Sequence, residues 1–155
     1  MKEIAMRQTG LTGIMLLAAA ALLAAGGFAQ EAAKEAAKSG NMLVGTWKLV
    51  TAKYGGQDFK FPAGETMLKH VTPSQFMWAT HDKDGKVYRA AGGHITLKGD
   101  VYEETPEYGM GQDFDEIKGK SHTFKAKVVG NTWYSDGKLA SGLTIEEVWE
   151  RVEKK

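Results

Sequence analysis

The sequence contains no cysteine, so a disulfide framework, a thiol nucleophile and a thiolate metal centre are all excluded. Whatever fold it adopts is held by packing alone. The missing cysteine also rules out a lipid-modified N-terminus of the bacterial lipoprotein type. An excess of charge is lacking too: 20 basic residues face 19 acidic ones, which argues against nucleic acid or an anionic membrane surface as partner. There is no Gly-x-Ser-x-Gly elbow and no phosphate-cradling glycine loop. The acid pairs Glu103-Glu104 and Glu146-Glu147 are adjacent, and strand alternation sends the members of each pair to opposite faces, so neither pair supports two-carboxylate catalysis. These absences point away from an enzyme, and no cofactor is implied.

What is present begins with an address segment. Lys2 and Arg7 give a positive start, and Leu11 to Ala25 is almost wholly apolar. That run of about fifteen residues suits a signal sequence and falls short of the roughly twenty needed to span a bilayer. Gly27-Phe28-Ala29 then places small residues where a signal peptidase inspects them. Residues 1–29 are therefore expected to be a signal peptide cleaved after Ala29, giving a periplasmic or secreted protein with no membrane span in the mature chain; retention as an anchor is the alternative. Removing Lys2, Glu3 and Arg7 leaves equal numbers of acidic and basic residues. Residues 30–42 open with Gln-Glu-Ala-Ala-Lys-Glu-Ala-Ala-Lys, in which Glu31 and Glu35 have turn-spaced lysine partners. This stretch reads as a helical or disordered tether.

From residue 43 to residue 155 the texture changes, and one domain fits. β-Branched and aromatic residues alternate with polar ones, and glycine-bearing turns recur at roughly ten-residue spacing. Strands are expected over 43–54, 67–72, 75–81, 86–91, 94–98, 101–108, 121–129, 132–135 and 144–152. Asp84-Gly85, Gly99-Asp100 and Gly130-Asn131 mark tight hairpins between them. No segment is patterned for a packed helix. About eight or nine short antiparallel strands in sequence order predict an all-β, up-and-down barrel, because closure removes the exposed edges. A barrel of this size encloses packed side chains or one small ligand.

The first strand carries Gly45-Thr46-Trp47, in which the glycine permits a sharp bend and the tryptophan plugs the end of the barrel. Together with Phe76-x-Trp78, Gly92-Gly93, Gly99-Asp100-x-Tyr102-x-Glu104, Tyr108-Gly109 and Glu147-Val148-Trp149, it makes residues 43–152 resemble the bacterial lipocalin-like domain proteins. These are relatives of the lipocalins and fatty-acid-binding proteins within the calycin barrels. The resemblance implies a lipocalin-like barrel holding a small molecule, with a basic residue stacked over the base tryptophan. Arg151 is placed for that role, so Gly45, Trp47 and Arg151 form the expected base. The chain lacks the helical pair of the fatty-acid-binding proteins between Tyr54 and Met67 and their Arg-x-Tyr pair near the end. It also lacks the disulfides and trailing helix of secreted animal lipocalins, so no particular ligand class carries over.

Aromatic walls with a few polar groups suit a pocket for a small, partly hydrophobic or amphipathic molecule. The candidates are Phe76, Trp78, Tyr88, Tyr102, Tyr108, Phe124 and Trp133, with Glu104 on the same face as Tyr102. Tyr108 keeps that parity if the strand continues past Pro106; the alternative is that Glu104 projects outward and Pro106 breaks the alternation. His70, His81, His94 and His122 lie on four different strands without metal-ligand spacing, so no metal is expected; His70 and His122 join the candidate ligand-binding set. The rival readings are a filled barrel serving as a structural or protein-interaction module, and a haem- or metal-binding barrel using the histidines. Oligomeric state is not legible.

Overall fold

The computed structural model describes residues 42–112 and 114–153. The expected leader and the tether up to residue 41 lie outside them. Nine strands follow one another: β1 Gly45–Tyr54, β2 Gln57–Phe59, β3 Thr66–Val71, β4 Gln75–His81, β5 Val87–Lys98, β6 Val101–Met110, β7 His122–Val129, β8 Thr132–Lys138 and β9 Thr144–Arg151. A single turn of helix, α1 Phe114–Ile117, stands between β6 and β7. From β3 onward each strand pairs antiparallel with the next, β1 pairs with β3, and β9 returns to β1. Eight strands therefore form a closed ring. The three-residue β2 lies beside Ala52–Tyr54, the half of β1 that β3 does not reach.

Alternation governs which side chains enter the ring. In β7, His122, Phe124 and Ala126 are buried while Thr123, Lys125 and Lys127 are exposed. β1 keeps Trp47 and Leu49 inside, then takes a bulge between Leu49 and Thr51 against β9. The extra residue, Val50, is turned outward, and Ala52 is buried in the core.

Two elements differ from the sequence reading. Residues 87–98 form one strand rather than two separated by a turn at Gly92-Gly93, because these glycines serve close packing rather than chain reversal. A Cβ on Gly93 would lie 2.0 Å from the Thr105 carbonyl oxygen, and one on Gly92 would strike the Tyr108 ring. The second difference is on β6. A bulge against Gly92/Gly93 pairs Gly93 with Pro106 and Gly92 with Tyr108, leaving Glu107 over, so Pro106 is buried and Tyr108 faces out. β6 pairs with β7 only through Val101–Glu104. Proline has no N–H to continue the ladder, and the two strands part there; the Gly119 N–H donates instead to the Pro106 carbonyl at 2.7 Å.

The base is closed at the start of β1. Arg151 lies over the Trp47 ring, its Cζ 4.1 Å from the ring centroid. Its guanidinium donates to the Val44 carbonyl at 2.9 Å and to that of Met42. Gly45 has φ of +145°, and a Cβ there would meet Arg151 Nη1 at 2.5 Å. The glycine is thus needed both for its backbone conformation and for the space the guanidinium fills.

Candidate functional site

The lumen divides along the barrel axis into a solid base and an open upper half. In the base, Trp47, Trp133 and Trp149 are fully buried. Trp133 meets Trp47 edge-on at 5.5 Å, Tyr102 edge-on at 5.5 Å and Trp149 in a stack at 5.9 Å. Such ring pairs add about 0.5–1.5 kcal/mol each beyond the area they bury. Leu49, Val71 and Phe124 complete the same core.

A charged layer forms the floor above these rings. Lys69, inward on β3 and 4% exposed, donates from Nζ to Glu104 Oε2 at 3.1 Å. The ammonium also stands 4.9 Å from the Trp149 ring centroid and 5.3 Å from that of Trp133. Tyr102 donates its hydroxyl to the same Glu104 oxygen at 3.0 Å. Glu147, inward on β9, accepts from the Tyr54 hydroxyl at 3.1 Å and from Trp149 Nε1 at 3.0 Å. Burial pushes the Glu147 carboxyl above its ordinary range; the Lys69 charge opposes that, and Glu104 adds to it. The phenols of Tyr54 and Tyr102 are raised, mainly by burial and then by their carboxylate partners, so both remain neutral donors near pH 7.

The raised Glu147 sets a pH dependence. The folded protein holds this proton more tightly than the unfolded chain does. The resulting stability is present below about pH 4.5, the ordinary value, and is lost as pH rises through the folded-state value. Glu147→Gln cannot ionise, yet its amide oxygen still accepts from Trp149 and its NH2 still meets Tyr54. Its melting temperature relative to the parent protein is expected to climb between pH 4 and pH 7 in a calorimetric series. A difference independent of pH would contradict this.

Above the floor lies a cavity of about 390 Å³. Tyr54, Phe59, Phe61, Met67, Trp78, Thr80, Phe124, Leu139, Leu143 and Ile145 form much of its wall, and Phe114 and Ile117 of α1 contribute from the β6–β7 connection. Lys69, Glu104, Glu147, His122 and Arg89 supply its polar groups. The lining is mostly apolar and aromatic with a few placed donors and acceptors, a composition suited to a small molecule.

Of the residues expected at a site, Trp78, Glu104, His122 and Phe124 line this cavity. Phe76, Tyr102 and Trp133 point inward but are buried in or beside the packed base. His70 sits on the outer face, exposed, with Nδ1 3.0 Å from Thr46 Oγ1. Tyr108 is half exposed, with its ring across Gly92, and Tyr88 bonds the Glu65 carboxylate. None of these three lines the cavity. The four histidines do not converge: His94 pairs with Glu107 on the surface, and His81 bonds the Asp82 carbonyl. Among the described residues no three His, Asp or Glu side chains are grouped to hold a metal.

Among the cavity's polar residues, Lys69 and Glu147 were missed by sequence reasoning. Lys69 alternates with Met67 and Val71, so the signal was its parity; a lysine so seldom points into a core that parity alone was outweighed. For Glu147 the alternation was read within one acid pair. Each pair does send one carboxylate out and one in, but the two inward members, Glu104 and Glu147, come from different strands and share the lumen.

No protein-family model matches the chain, and no curated protein matches it in sequence. Among solved structures, a lipocalin-like protein from Bacteroides uniformis aligns at 17% identity with a TM-score of 0.50, over 72% of this chain and 99% of that one. A redesigned β-barrel aligns at 17% identity and a TM-score of 0.48, over 74% and 96%. The fold is a lipocalin-like β-barrel.

Proposed function

We propose that the protein is an exported carrier that holds a small, partly hydrophobic molecule in the upper half of its barrel. The observation that carries this is the division of the lumen: the base is packed solid while the half above the Lys69–Glu104 floor is left as a walled cavity. A barrel evolved only as a structural module gains nothing from that space, since packing it with apolar side chains adds roughly 25 cal/mol for each Å² withdrawn from water. Affinity comes from burying the ligand's apolar surface against the aromatic wall, and orientation from the polar groups of the floor. The positive start and apolar run at the N-terminus support export. Among the described residues no helix is long and apolar enough to cross a membrane.

Native mass spectrometry of the protein recovered from its own cells is expected to show a retained small organic molecule. In parallel, the neutral dye 1-N-phenylnaphthylamine should brighten on binding with a dissociation constant on the order of 1–10 μM. Thr80→Trp, which adds a ring to the cavity wall, should abolish that response. A dye signal untouched by Thr80→Trp, or no signal with the parent protein, would remove the lumen as the binding site.

A further inference from the structure

His122 opens β7, is 2% exposed and lines the cavity. Its Nδ1 accepts a hydrogen bond from the Ala140 N–H at 3.0 Å, which leaves the ring proton on Nε2. That Nε2–H is buried and unpartnered. The Ile117 backbone of α1 also acts on the ring, but among the described residues no acceptor meets Nε2 in hydrogen-bond geometry. A buried donor left without a partner costs about 1–3 kcal/mol, so its persistence on a cavity wall marks a place where something else accepts. Burial holds the imidazole below its usual pKa, with Glu104 opposing the shift, and the ring therefore acts near pH 7 as a neutral donor.

We propose that the cavity takes a largely apolar, ring-bearing ligand with an uncharged carbonyl-type oxygen that accepts from His122 Nε2–H. This rests on the carrier reading and narrows it. Tyr54, Phe59, Phe61, Trp78 and Phe114 supply ring faces and edges. The electrostatics around His122 select the neutral acceptor. An anionic oxygen there would meet the Glu104 charge, whose cation, Lys69, is already engaged. A cationic group would meet an N–H that has no lone pair to offer. A neutral carbonyl satisfies the donor without either conflict.

Three probes of one shape test this by fluorescence titration: 6-propionyl-2-(dimethylamino)naphthalene, its 6-propyl analogue without the carbonyl, and the 6-carboxylate. The parent protein should bind the ketone about tenfold more tightly than the propyl compound, the ratio that one buried hydrogen bond supplies, and more tightly than the carboxylate. His122→Phe should erase the ketone's advantage over the propyl compound, so that the two bind alike. His122→Gln, whose oxygen can take the Ala140 N–H and whose amide can still donate, should keep part of it. Should His122→Phe fail to fold, nitrogen-15 spectra of the parent protein still decide the matter: the Nε2 resonance must move with the ketone and not with the propyl compound. Equal binding of ketone and propyl compound, or tightest binding of the carboxylate, overturns the inference and leaves the carrier reading standing. If none of the three binds, the carrier reading itself falls.

Discussion

Lys69→Met is expected to destabilise the barrel by about 3–5 kcal/mol, the usual cost of leaving a buried charge without its partner. Lys69 is bonded to Glu104 at 3.1 Å with both side chains almost wholly buried. It also holds down the Glu147 carboxyl, which burial is already pushing up. Methionine matches the volume of the lysine stem but supplies no charge, so both carboxylates lose their counter-ion together. Adding Glu104→Gln to Lys69→Met should recover most of the loss. The amide oxygen still accepts from the Tyr102 hydroxyl, and the double variant buries one charge fewer. Urea unfolding of the two single variants and the double variant gives the coupling directly. Additive losses, with no recovery in the double variant, would show that the lysine contributes through its contacts with the aromatic rings rather than through the ion pair.

The all-β class, the barrel and most strand positions were legible because they depend on period-two alternation and on glycine at turns, and both are local properties. His122, Phe124, Ala126 and Val128 were read on one face from spacing alone, and the first three are buried. What alternation does not encode is height along the barrel axis. Trp78 and Trp133 both follow inward parity, yet one lines the cavity and the other fills the base. Height is set by the stagger between strands, which emerges only when the ring closes. Register shifts interrupted parity in three places: after Leu49, at Tyr88 opposite Thr80/His81, and at Glu107, which put Tyr108 outside. The cavity-wall residues Phe59, Phe61 and Phe114 come from the three-residue β2 and from connections, too short or too irregular for any periodicity to describe.

That difference in height separates two tryptophans that the sequence presents alike. Trp133→Ala is expected to cost about 3–5 kcal/mol, because it empties the centre of a stack that includes Trp47, Tyr102 and Trp149 and leaves a void the closed ring cannot collapse around. The indole N–H of Trp133 has no hydrogen-bond partner, so the loss is one of packing and of the ring's contact with the Lys69 ammonium. Trp78 is only half-buried and borders space that is already empty, so Trp78→Ala should cost under about 1.5 kcal/mol. Its effect belongs to binding instead, with 1-N-phenylnaphthylamine affinity falling about tenfold as one aromatic wall is removed. Denaturant unfolding and dye titration of both variants give four numbers that must split crosswise: stability lost at Trp133, affinity lost at Trp78. If Trp78→Ala instead proves as destabilising as Trp133→Ala and leaves dye binding unchanged, the upper half is packed like the base and the division on which the proposed carrier function depends does not exist in solution.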